Sequence, residues 1–135
     1  MSKKYTLGKN ERLKHRKFIK QLFKEGRNFS VFPFRVYYLF VDQLLSSPLQ
    51  AGFNASTRNF KKAVDRNRIK RITKEAYRLQ KNELAAQLEI REKRMAVFFI
   101  YTDKQLPFFG GVKARMQIIL KKLITILHEM DSPGR

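Results

Sequence analysis

Residues 61 to 78 read Lys-Lys-Ala-Val-Asp-Arg-Asn-Arg-Ile-Lys-Arg-Ile-Thr-Lys-Glu-Ala-Tyr-Arg, and this stretch decides both the fold and the function. Ile69, Ile72, Ala76 and Leu79 recur at steps of three and four, which predicts a helix with one apolar stripe turned to a core. A second stripe is cationic: Arg66, Lys70, Lys74 and Arg78 stand four apart, flanked by Arg68 and Arg71. Like charges at that spacing repel one another, so an unopposed row points to a polyanionic partner. Asp65 suits the positive end of the helix dipole.

The charge balance of the whole chain agrees. Its 135 residues hold 30 Lys and Arg against 11 Asp and Glu, a formal net charge of +19. Residues 3 to 27 carry ten of the basic residues with two acids, and residues 58 to 81 carry ten more with two. The excess therefore belongs to two segments, which a uniformly solvated surface does not require. There is no cysteine, so disulfides, thiolate nucleophiles and Cys-ligated metals are excluded. The eleven carboxylates form no spaced pair of the two-metal nuclease kind, and His15 and His128 lie far apart, each read as an ordinary helix residue. No Gly-rich phosphate loop or nucleophile elbow is present. No catalytic residue and no metal ligand is assigned to the protein. The lack of a long apolar run and of an apolar leader makes a cytoplasmic protein the default, with no membrane contact.

The length sets one domain over residues 1–135, opening with a basic arm at 1–10 that is expected to be mobile. A first helix is predicted from Glu11 to Glu25, ended by Gly26. Arg27 to Val31 forms an edge strand and Phe34 to Val41 a central one, with Phe34, Val36, Tyr38 and Phe40 on one face and Arg35, Tyr37, Leu39 and Val41 on the other. Leu49 to Ser56 is a third strand, and the basic helix continues, with an interruption, through Leu84 to Ile90. Met95 to Tyr101 is apolar almost throughout, the pattern of a strand buried on both faces. Asp103 to Gly111 reads as a loop, and Met116, Ile119, Leu120, Leu123, Leu127 and Met130 mark a last helix from Val112 to Glu129. Ser132-Pro133-Gly134 ends it. The order helix-strand-strand-strand-helix-strand-helix gives an α+β fold, a four-stranded sheet with helices packed on it.

Arg66-Asn67-Arg68, preceded by Ala63-Val64 and followed by Lys70-Arg71, Glu75 and Tyr77-Arg78, resembles the signature of the bacterial ribonuclease P protein subunit. The upstream Gly52-Phe53-Asn54-Ala55-Ser56 strand end and Thr57-Arg58 extend the resemblance, which runs from Leu13 to Leu127. It implies a left-handed crossover in the strand-helix-strand unit, against the usual right-handed rule. It also implies a protein that is non-catalytic alone and works as a subunit of an endoribonuclease removing the 5′ leader of precursor tRNA. The catalytic RNA would carry out the chemistry with Mg²⁺ held mainly by that RNA. The partners are that catalytic RNA and the precursor tRNA, with no obligate protein partner.

Residues expected at RNA are Arg58, Lys61, Lys62, Arg66, Asn67, Arg68, Lys70, Arg71, Lys74 and Arg78, because guanidinium groups grip phosphate bidentately and Asn67 both donates and accepts. A leader-binding cleft between the first helix and the sheet is assigned to Phe18, Ile19, Phe23 and Tyr37, with Lys17, Lys20 and Arg35 nearby. The family commonly carries two aromatics four apart on that helix; here Ile19 occupies the upstream position, with Phe18 beside it. The competing reading is a structural RNA-binding protein, ribosomal or a chaperone of RNA, with no part in an enzyme. A protein of anionic membrane surfaces fits poorly, since the polar side of the last helix has few cations.

Overall fold

In the computed structural model, residues 11–13, 16–41 and 47–130 are described. The arm at 1–10, most of the connection at 42–46 and the stop at 132–134 lie outside them. The elements are α1 (Arg16–Glu25), β1 (Arg27–Val31), β2 (Phe34–Phe40), β3 (Leu49–Ala55), α2 (Ala63–Gln80), α3 (Asn82–Ile90), β4 (Met95–Tyr101) and α4 (Phe109–Met130). The four strands lie in the order β1-β2-β4-β3, with β3 parallel to β4 and the other pairs antiparallel.

Alternation along the strands sorts the sheet into two faces. Phe34, Val36 and Tyr38 of β2 join Met95, Val97, Phe99 and Tyr101 of β4 in the main core, under α2, α3 and α4. Tyr37, Leu39, Ala96, Phe98 and Ile100 point the other way, where Leu22 of α1 and Leu13 cover them. The near-continuous apolar run of β4 is thus buried on both faces, as its composition predicts.

Two boundaries differ from the sequence reading, each for a physical reason, and the expected interruption of the basic helix falls between α2 and α3. Helix α1 starts at Arg16 rather than Glu11: Arg12 instead bridges Ala51 in parallel, and the Leu13 N–H donates to the Ala51 carbonyl at 2.9 Å. β3 is the edge of the sheet, and this short segment satisfies backbone groups there that a helical turn would leave unpaired. The basic helix breaks at Lys81, which ends α2 and begins α3. Lys81 is 4% exposed and its ammonium meets the Glu11 carboxylate at 2.6 Å. Helix α4 begins at Phe109, so Gly110 and Gly111 fall in its first turn instead of in a loop; the Phe108 ring rests against them, and a Cβ on Gly111 would meet it at 3.1 Å.

The Glu11–Lys81 pair ties the segment before α1 to the joint between α2 and α3. Removing the acid leaves a buried ammonium with only a long hydrogen bond to the Asn82 side-chain oxygen at 3.4 Å, which costs far more than losing both charges. Glu11→Gln should therefore lower unfolding free energy by about 3 kcal/mol, and adding Lys81→Met should recover most of it. Urea unfolding of the single and double variants checks this.

Candidate nucleic-acid interface

Helix α2 buries Ile69, Thr73, Ala76 and Tyr77, and the Thr73 hydroxyl donates to the Ile69 carbonyl at 2.8 Å. With that stripe inward, Asn67, Lys70, Arg71, Lys74 and Arg78 are left on the opposite side, where with Glu75 and Arg12 they line a cleft of about 480 Å³. Arg12 reaches it because its backbone is held at the edge of β3. Arg12, Lys70 and Lys74 also border a second hollow of about 340 Å³ that includes Ile19, Gly52 and Phe98, so the two form one groove from α2 to the gap beneath α1.

Not every cation of the predicted set joins this groove. The Arg66 guanidinium turns back and donates to the carbonyls of Phe60 at 2.7 Å and Lys61 at 2.9 Å, closing the turn before α2. Three of the four residues in the expected row thus line the cleft, and the fourth organises the helix start. Arg58, Lys61, Lys62 and Arg68 are exposed and outside the cleft lining. Among the described residues, Glu75 is the one carboxylate that lines the groove. Its hydrogen bonds and ion pair with Arg78 hold the Glu75 carboxyl below its ordinary value, and the same contact raises Arg78.

On the far side of the sheet the predicted aromatics divide. Phe23 sits edge-on to Tyr37 at 4.8 Å between centroids and to Phe98 at 5.2 Å, and is itself 40% exposed. Phe18 and Ile19 are half-buried against the same cluster, but of the two only Ile19 borders the groove. Lys17, Lys20 and Arg35 are exposed, and Arg35 donates to the Asn28 side-chain oxygen at 3.0 Å. Two contributors were missed: Phe98, which the sequence shows only as part of an apolar run, and Arg12, which reads as helical. Gly52 pairs with Phe98 in register, and the ring lies where a Cβ would come within 2.5 Å, so the strand glycine marks the aromatic floor.

Two tyrosine hydroxyls are also perturbed, both by burial. Burial pushes the Tyr77 hydroxyl far above its ordinary pKa, helped by the Glu11 charge, and the hydroxyl has no hydrogen-bond partner among the described residues. Burial, with Asp103 nearby, pushes Tyr101 up to about 12, and its hydroxyl donates to the Gln105 carbonyl at 2.7 Å. Among the described residues no group of three or more His, Asp or Glu side chains converges as a metal site, and no helix is long and apolar enough to cross a membrane.

Fold and groove together define a small basic α+β protein with a groove lined mainly by cationic side chains. The chain belongs to the ribonuclease P protein component family, a component of an endoribonuclease complex: the family model described as Ribonuclease P matches residues 7–123. It is 35% identical over 128 residues to the ribonuclease P protein component of Porphyromonas gingivalis, covering 95% of this chain and 91% of that one. The component from Chlorobaculum tepidum is 32% identical over 91 residues, covering 63% and 59%. The RNase P protein of Staphylococcus aureus has the same fold, with a TM-score of 0.63 at 17% identity over 84% of this chain and 94% of that one.

The Glu75–Arg78 pair carries a pH signature. A carboxyl held below its ordinary value adds its small, exposed share of stability above the unfolded value of 4.5 and loses it as pH falls through the lowered one. An NMR titration of the Glu75 carboxyl carbon should show a midpoint below 4.5 in the native protein, moving up toward it in Arg78→Ala.

Proposed function

We propose that this protein docks through the α2 groove on the catalytic RNA of ribonuclease P and holds the 5′ leader of precursor tRNA in the gap between α1 and the sheet. The observation that carries the reading is the alignment of Asn67, Lys70, Arg71, Lys74 and Arg78 with Arg12 along one channel that continues to the Phe98 floor. Lysines and arginines so placed displace counterions from phosphates, and arginine adds bidentate contacts. Duplex RNA offers phosphates and 2′-hydroxyls to such a face, while the unpaired leader offers bases to Ile19, Phe23, Tyr37 and Phe98.

Hydrolysis belongs to the RNA, with Mg²⁺ supplied and held there; the protein works by binding and does not cleave alone, in the cytoplasm with the substrate. Its residues orient the leader and reduce the repulsion between substrate and RNA phosphates, an effect that matters most when divalent ions are scarce. Arg66 contributes by fixing the helix start, so its loss would misalign the cations that follow.

Lys70→Glu with Lys74→Glu should leave the fold intact, since neither side chain is buried. With bacterial ribonuclease P RNA and a labelled precursor tRNA at low Mg²⁺, the double variant should lose at least tenfold in stimulated cleavage. The slope of log affinity for RNA against log salt should fall by about 1.4–1.8. Cleavage equal to that of the unmodified protein would rule out the groove as the docking face, and RNA binding without stimulation would favour a structural RNA-binding role.

A further inference from the structure

A second surface, sharing no lining residue with the groove, is mainly apolar and aromatic. The turn between β1 and β2, the segment after β4 and the start of α4 enclose a hollow of about 340 Å³ lined by Phe32, Pro33, Pro107, Phe108 and Arg115 among others. Phe32 is 66% exposed and Phe108 74%, with Leu106 and Phe109 beside them at 44% and 37%. A contiguous apolar patch of this kind is uncommon on a protein that functions alone. The Phe108 ring is a built platform: one side rests on the backbone of Gly110 and Gly111, where a Cβ would approach it to 3.4 and 3.1 Å, and the rest of the ring is open.

One cation and one acid, Arg115 and Asp103, line this platform. Arg115 lines it and Lys104 follows the lining residue Asp103; neither side chain has a hydrogen bond or ion pair among the described residues. The Asn59 amide donates to the Thr102 carbonyl at 3.0 Å and the Asp103 carbonyl at 3.4 Å, which binds the 57–60 turn to the same segment. That contact brings Arg58, Lys61 and Lys62, the predicted RNA residues left out of the groove, to this end of the molecule.

We propose that the Phe32–Phe108 hollow is a second RNA-binding site that takes an unpaired nucleobase on the aromatic platform, with its flanking phosphates on Arg115, Lys104 and the 58–62 cations. The cavity is of single-ligand size, near the lower end of the usual range of about 300–1,000 Å³. Every base has a π-face that an exposed ring can stack on, and arginine adds a cation over the base plane. A second copy of this chain is disfavoured as the occupant, since it would bring the same net charge of +19 to a basic rim. The site rests on the reading of the chain as an RNA-binding protein and adds a contact to it that is independent of the groove.

The test uses full-length protein and hexauridylate containing 5-bromouridine, cross-linked by light and mapped by mass spectrometry. Cross-links at Phe32 or Phe108 are expected, and they should persist in the Lys70→Glu, Lys74→Glu protein, where failure of the groove would not touch them. Phe108→Ala with Arg115→Ala should weaken hexauridylate binding about tenfold and abolish these cross-links, with circular dichroism and melting unchanged because both side chains are exposed. Cross-links confined to α1 and α2 with unaltered affinity would overturn the proposal. So would sedimentation showing that the native protein self-associates and Phe108→Ala does not, which would assign the patch to a second copy.

Discussion

The burial of one stripe of α2 governs the rest. Ile69, Thr73, Ala76 and Tyr77 turn toward the sheet and α4, and that single rotational setting puts Asn67, Lys70, Arg71, Lys74 and Arg78 outward together. A helix of this charge would be a poor helix alone, since like charges three and four apart each cost a few tenths of a kcal/mol, roughly 0.2–0.5. Packing of the apolar stripe offsets that cost. Glu75, which lines the groove among these cations, relieves the repulsion at one end by binding Arg78. The result is a surface stable enough to fold and charged enough to need a partner.

The groove also depends on a piece of chain with no helix or strand of its own. Arg12 and Leu13 pair with the edge of β3, Leu13 is buried beneath the sheet, and Glu11 holds Lys81 at the α2–α3 joint. These contacts bring Arg12 of the first basic segment against the second, so a cation from each charge concentration lines the same groove. Gly52 then lets Phe98 lie flat in the floor, placing an aromatic surface where the cations end.

What was legible in the sequence was whatever a local period encodes. The alternation of Phe34 to Phe40, the doubly apolar Met95 to Tyr101 and the two stripes of α2 all reappear, because each strand and helix buries the face its pattern prescribes. What was hidden depended on distant partners. Nothing around Arg12 announces that it pairs with Ala51, and Glu11 to Leu13 reads as helix because the competing strand edge is about forty residues away. Arg66 continues the four-residue row in sequence, yet the unpaired carbonyls of Phe60 and Lys61 claim its guanidinium. Gly110 and Gly111 read as a loop because their role is to accommodate the Phe108 ring, a contact with no periodic signature.

The central claim is that the outward side of α2, and not the helices generally, receives the RNA. Lysine acetylation footprinting of the protein, free and bound to bacterial ribonuclease P RNA, tests it most directly. The account predicts that Lys70 and Lys74 become protected on binding while Lys121 and Lys122 on α4 remain reactive. Protection of the α4 lysines with Lys70 and Lys74 unchanged would contradict it.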